Sequence, residues 1–183
     1  PNSWKDGTPN CPSIRLLGPI TKAGQRLSKE QVALAADAAN DVDVTHIHAM
    51  WIPSNPQMAK ACDSVGTPWV LSTHGMLDDW CMQQRGVKKK FYLSTVGRIL
   101  VRGATTFLTT AEEERRQSSK WLKHNNIAVI PCIVCLKPYR EVPNPKEAIE
   151  EYGQSDDPTV LFLSRVHEKK SIETLIDAAA ILK

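Results

Sequence analysis

No stretch of this sequence comes near the roughly 18 consecutive apolar residues that a bilayer-spanning helix needs. The opening residues, Pro1 to Pro12, are polar where a secretory leader would be apolar. A spanning or exported protein is therefore not expected, and a cytoplasmic one is. Cysteine is sparse as well. The five thiols, Cys11, Cys62, Cys81, Cys132 and Cys135, form an odd set without the density of a disulfide scaffold, so they are expected to be reduced. The sequence also lacks the dense Lys/Arg stripe of a nucleic-acid-binding surface, since its formal net charge is only +3. No internal repeat or low-complexity tract is present, which excludes solenoids and arrays.

What is present is an alternation of two periodicities. With 183 residues the chain can bury one good core and part of a second. After a loop-rich lead-in, Pro1 to Arg26, Ser28 and Gln31 have the spacing of a capping box and predict a helix to about Ala39. A short strand is expected over Val44 to Ala49, and a helix over Gln57 to Val65 follows the breaker-rich loop at 51–56. Trp69 to Leu71 reads as a second strand. Apolar residues at Phe91, Leu93, Val96, Ile99 and Leu100 predict one long helix over Val87 to Ala104. Thr105 to Thr109 is β-branched and aromatic, as a strand is. Thr110 with Glu113 suggests a second capping box for a helix to about Leu122, and Ile127 to Ile130 a further strand.

The segment 131–158 carries five prolines and little apolar spacing, with a short helix at Lys146 to Tyr152, and reads as a linker. Val160 to Leu163 then predicts a buried strand, and Ser171 to Lys183 a helix with Ile172, Leu175, Ile176 and Ala179 on one face. Strands alternating with helices imply an α/β protein with a Rossmann-like parallel sheet, flanking helices and a βα stub of a second domain. Ligands of such sheets sit beyond the carboxyl ends of the strands. The residues expected there are His46, His48 and Trp51, then His74 and Gly75, then Cys132 and Cys135, and finally Arg165, His167, Lys169 and Lys170.

Each of these has a functional and an ordinary reading. A histidine beside a glycine at a strand end lets backbone pass close to a ligand while the imidazole offers a hydrogen bond, yet His74 could equally cap a turn. Arg165 after a strand and Lys170 entering a helix suit a diphosphate at the helix N-terminus, although charges there are commonly solvated. Cys132 and Cys135 have CxxC spacing, which serves zinc or redox chemistry, but without a second pair two buried thiols are the expectation. A mixed site with His46, His48 or His74 stays open. Arg85 and Lys88 to Lys90, interleaved with Trp80, Phe91 and Tyr92, fit either a basic helix against anionic headgroups or a solvated helix face.

Taken in order, His46-Ile-His-Ala-Met-Trp51, Ser72-Thr-His-Gly-Met-Leu77, Thr110-Ala-Glu-Glu113, Ile127-Ala-Val-Ile-Pro131 and Phe162-Leu-Ser-Arg-Val-His-Glu-Lys-Lys170 resemble the family 4 glycosyltransferases over about residues 30–183. That resemblance implies an incomplete two-domain GT-B fold. Residues 1–135 would be part of the acceptor-side domain, 136–158 the linker, and 159–183 the start of the nucleotide-sugar-binding domain. It implies transfer, with retention, from a UDP- or GDP-linked sugar to a saccharide or lipid-linked acceptor, with no metal and no other cofactor. His74 would lie beside the transferred sugar as the catalytic residue, with His48, Trp51 and Gly75 on the acceptor side of the cleft. Arg165 and Lys170 would hold the donor diphosphate. Peripheral contact with the inner membrane face goes with a lipid-linked acceptor, and no nucleic acid is expected.

The sequence also departs from the family. Cys132-Ile-Val-Cys135 replaces the usual Asn-Gly-Val-Asp, and the first strand with its glycine-rich loop and most of the donor domain lie outside this sequence. A non-catalytic remnant or binding subunit is the alternative expectation, with a small zinc module behind it.

Overall fold

The computed structural model describes residues 14, 16–18, 26–122, 126–141, 144–153 and 160–181. They belong to two compact units, Pro1–Cys132 and Ile133–Lys183. Most of the expected lead-in, Cys11 with it, lies outside the described residues.

The first unit is built on four parallel strands, β1 (Thr45–His48), β2 (Trp69–Ser72), β3 (Thr106–Thr109) and β4 (Ile127–Val129), in the order β1-β2-β3-β4. The register aligns Ile47, Leu71, Phe107 and Ile127 in one row across the sheet. The first three are buried and Ile127 packs against the same cluster. Because side chains alternate along a strand, that row fixes which residues face the core and places His46 and His48 together on the opposite face. This is the Rossmann-like α/β sheet that the alternating periodicities imply.

The helices follow from local chemistry. Helix α1 (Lys29–Asn40) starts at the expected capping box: Gln31 N–H donates to Ser28 Oγ at 3.2 Å and Ser28 N–H to Gln31 Oε1 at 2.9 Å. Helix α2 (Asn55–Val65) has Pro56 in its first turn, where the missing N–H costs nothing, and ends at Gly66. It packs against α1 and β1.

Between β2 and β3 a short unexpected helix, α3 (Asp79–Gln83), capped by the Asp78 carboxylate, comes first, and the single expected helix is two, α4 (Gly86–Ser94) and α5 (Arg98–Gly103). The break has a local cause. Thr95 leaves helical geometry at φ −115°, ψ −103°, its hydroxyl donates to Phe91 C=O at 2.8 Å, and Gly97 N–H closes the turn on Tyr92 C=O at 2.8 Å. Leu93 and Leu100 thereby both reach the core, while Phe91 and Val96, which the helical spacing put on the same stripe, are exposed. Gly97 also lies under the Tyr92 ring, where a Cβ would meet Cε1 at 2.3 Å. Gly97→Ala is expected to destabilise the unit by about 1–3 kcal/mol through overpacking. Urea unfolding checks this, and a midpoint equal to wild type would mean that the ring swings aside freely.

Helix α6 (Glu112–Ser118) corrects the second capping box. Its N-cap is Ala111, without a side-chain cap, and Glu113 turns outward to Arg116 and Gln117, which hold its carboxyl at about 2. It is Glu114, one residue on, that reaches back to Thr110.

In the second unit, a 3₁₀ turn (Lys137–Tyr139), α7 (Pro145–Tyr152) capped by Asn144, a 3₁₀ turn (Glu168–Lys170) and α8 (Ile172–Ile181) are formed. The expected strand at Val160 to Leu163 is not: Val160, Leu161 and Leu163 are exposed, and no strand among the described residues pairs with them. Extended backbone becomes a strand only when a neighbour takes its hydrogen bonds. Cys132 and Cys135 are exposed rather than buried, because the chain leaves the sheet after Ile130 and runs on without a pairing partner. No helix among the described residues is long and apolar enough to cross a membrane.

Candidate functional site

The carboxyl ends of β1, β2 and β3 lie side by side, with His48 opposite Ser72 and Ser72 opposite Leu108. His46 and His48, two residues apart, share a face, and their rings lie 4.0 Å apart, centroid to centroid. His46 Nε2 is 2.7 Å from Ser72 Oγ. His48 Nδ1 is 2.9 Å from Nε2 of His74, whose ring stacks at 5.2 Å. Three imidazoles thus form a continuous cluster.

The backbone beneath them is strained. Ala49 and His74 both have positive φ, 74° and 51°, and Gly75 follows at 69°. Non-glycine residues in this region cost of order 1–3 kcal/mol each and persist only where their surroundings over-determine them. Two polar side chains do so. Asn55, buried at the start of α2, donates from Nδ2 to His48 C=O at 2.6 Å and Ala49 C=O at 2.8 Å. Glu114, also buried, accepts from Thr73 Oγ1 at 2.7 Å and Gly75 N–H at 2.5 Å on one oxygen. Its other oxygen accepts from the N–H and hydroxyl of Thr110, both at 2.8 Å. One carboxylate therefore ties the ends of β2 and β3 together around the His74-Gly75 turn.

Burial alone would raise the Glu114 carboxyl. The Thr110 and Gly75 amides and the Thr73 and Thr110 hydroxyls outweigh it, and the group is held below the ordinary 4.5. It is an anchor, permanently ionised near neutral pH. His46 and His48 are pushed below 6.5, first by desolvation and then by their histidine neighbours. Protons therefore bind the unfolded chain more readily than the folded one, so these groups make stability fall as pH drops from about 7 through 6.5. In thermal melts the slope over that interval should flatten in a His46→Asn/His48→Asn variant. An unchanged slope would assign the effect elsewhere.

Two imidazoles joined Nδ1 to Nε2 have, in their neutral forms, a definite chemistry. Whichever tautomer holds, the two nitrogens left over are one donor and one acceptor, and a relay in which the acceptor nitrogen takes up a proton, the shared proton crosses and the donor nitrogen releases its own exchanges those roles. The pair can orient a hydroxyl and pass its proton. Beside it lies a cavity of about 300 Å³ lined by His74, Gly75, Asp78, Thr110, Glu113 and Gln117.

Of the residues expected at the site, His48, His74 and Gly75 are brought together. Trp51 is not with them: it lines a separate cavity beside Tyr92, ring centroids 5.6 Å apart, under Lys89. Arg165, His167, Lys169 and Lys170 are exposed residues of the second unit, with Lys170 ending the 3₁₀ turn before α8. Among the described residues no group of three or more His, Cys, Asp or Glu side chains is arranged to hold a metal ion.

Sequence reasoning missed Glu114 and Asn55. Three consecutive glutamates, Glu112 to Glu114, give no sign of which turns inward, and Asn55 sits between Ser54 and Pro56, where it reads as a loop breaker.

A family model described as a glycosyl transferase 4-like domain matches residues 11–132, the span that holds all four strands and the histidine cluster. No curated protein and no solved structure matches the chain.

Proposed function

The chain belongs to the family of the glycosyl transferase 4-like domain, and on that premise we propose that it serves cytoplasmic sugar transfer, with retention, from a UDP- or GDP-linked donor to a saccharide or lipid-linked acceptor. The observation that carries this reading is the His48–His74 pair at the carboxyl edge of the sheet, on a strained turn locked by Glu114. Enzymes keep such turns where the position of a reacting group matters more than local stability. In this reading His74 lies against the transferred sugar, with His48 orienting it and Gly75 giving the close backbone approach.

Residues 136–158 act as a linker, and 159–183 open the nucleotide-sugar-binding domain, with Arg165 and Lys170 neutralising the diphosphate as it departs. Cations aimed at developing charge are among the strongest catalytic devices in a closed, dry site. No metal is required for that arrangement. The protein as its native cell makes it, incubated with a panel of nucleotide sugars, is expected to consume one of them. Arg165→Ala/Lys170→Ala should lower kcat/KM for that donor by about 10²-fold or more. Failure to bind or consume any donor would favour a non-catalytic binding subunit, a reading supported by the exposed Val160, Leu161, Leu163 and Val166.

A peripheral membrane contact belongs to the same proposal. On α4, Val87 and Phe91 are one helical turn apart, 86% and 69% exposed, and flanked by Lys88 and Lys90. An apolar ridge between cations suits an anionic headgroup layer.

A further inference from the structure

The cations of the first unit are of two kinds. Those on α6 and beside it are paired: Arg115 with Glu112, Arg116 with Glu113, and Lys120 with Asp79. Those on α2 and α5 are not. Lys60, Arg98 and Arg102 have no carboxylate partner among the described residues, yet all three, together with Arg26, line one cavity of about 500 Å³. Arg98 and Arg102 are four residues apart and so stand on one face of α5, and α5 packs against α2, which brings Lys60 to them.

Pro53 is a wall of this cavity and also of the one beside Trp51, which adds Arg85, Lys88 and Lys89 around the edge-to-face Trp51–Tyr92 pair. No Asp or Glu among the described residues lines either cavity, in a chain that carries 20 of them. Lys60, Arg98 and Arg102, like charges gathered with no carboxylate partner among the described residues, repel one another, so the arrangement is stabilised by an anionic occupant.

We infer that the two cavities together bind an acidic saccharide chain, one that carries carboxylate or phosphate groups. Guanidinium pairs match the geometry of such oxyanions, and aromatic rings offer an apolar face to the C–H side of a sugar ring. Arg98, Arg102 and Lys60 would take the charges while Trp51 and Tyr92 take a ring. A neutral chain would leave the cations unanswered, and a lone small anion would leave the aromatic pair unused. That this chain is the acceptor of the transfer rests on the function proposed above. The binding itself does not.

The test is calorimetric titration of the full chain, without any sugar donor, at low and high salt. The probes are a galacturonic acid hexasaccharide, maltohexaose, inorganic pyrophosphate and phosphatidylglycerol vesicles. The acidic hexasaccharide is expected to bind about tenfold or more tightly than maltohexaose, and more weakly at high salt. Arg98→Gln/Arg102→Gln should weaken it about tenfold, as should Trp51→Ala, while Arg98→Lys/Arg102→Lys, which keeps both charges but loses the guanidinium forks, should weaken it by an intermediate factor of about threefold. Arg115→Gln/Arg116→Gln, an equal loss of charge on α6, should change nothing. Equal binding of the two hexasaccharides would overturn the inference, as would insensitivity to Arg98→Gln/Arg102→Gln. So would pyrophosphate binding as tightly with Trp51→Ala silent, or vesicles alone being bound. Binding as expected in a protein that consumes no nucleotide sugar would keep the saccharide site and remove the transferase reading.

Discussion

Glu114→Ala is expected to destabilise the first unit by about 3–5 kcal/mol, because it removes a buried charge whose four donors have nowhere else to go. Thr73 Oγ1, Gly75 N–H, and the N–H and hydroxyl of Thr110 all end on this one carboxylate. Against a total stability of about 5–15 kcal/mol for a typical domain, the loss is large enough to threaten folding at physiological temperature. Glu114→Gln separates charge from shape. Its amide keeps one acceptor oxygen but turns an NH₂ toward two of the donors, so an intermediate loss of about 1–3 kcal/mol is expected. The penalty also depends on pH. The folded-state carboxyl lies below its ordinary 4.5, so its stabilisation is fully present above that value and is lost as pH falls through the folded-state value. Wild type and Glu114→Ala should therefore converge in urea midpoint toward strongly acid pH. A constant gap down to acid pH would show that packing, not the charge, carries the effect.

His74→Asn is the variant that isolates the chemistry of the turn. Asparagine tolerates positive φ, so the exchange at φ 51° keeps the backbone while deleting the imidazole that meets His48. Stability should change by about 0.5 kcal/mol or less, since the side chain is exposed. Sugar transfer by the native protein should fall by about 10²–10³-fold, the usual scale for a positioned proton-transfer or hydrogen-bonding group. The loss should appear in kcat with donor KM little changed, because the residue is assigned to the reacting sugar and not to the diphosphate. A variant that retained wild-type kcat would remove His74 from the reaction and leave the histidine cluster as a structural cap.

Much of this architecture can be read directly in the residues. The Ile47, Leu71 and Phe107 row follows from short apolar strands bounded by breakers, and the Ser28–Gln31 box announces α1 by spacing alone. His48, His74 and Gly75 stand at strand ends, where a parallel sheet collects its chemistry. What could not be read depends on side-chain contacts that residue spacing does not record. The helix breaks at Thr95, whose hydroxyl turns back on Phe91, and Gly97 then fits under the Tyr92 ring, a contact that spacing rules do not see. Glu114 rather than Glu113 turns inward because two of its four donors, on Thr73 and Gly75, sit at the end of β2, which the fold brings beside α6. Val160 to Leu163 has a strand's composition without the neighbour that would make it one. Trp51, near His48 in sequence, is carried away by the buried Ala49-Met50 turn to face Tyr92 instead.

The strand order bears on how the molecule is made. Each strand hydrogen-bonds to the one synthesised just before it, so the sheet can grow in the direction of translation, every newcomer docking on a surface already in place. Among the described strands none must wait for a later one to be inserted beside it, so each docking edge is used soon after it is made. Among the described strands the shortest, Ile127–Val129, is also the latest to be made, and it docks on an edge that β3 already offers.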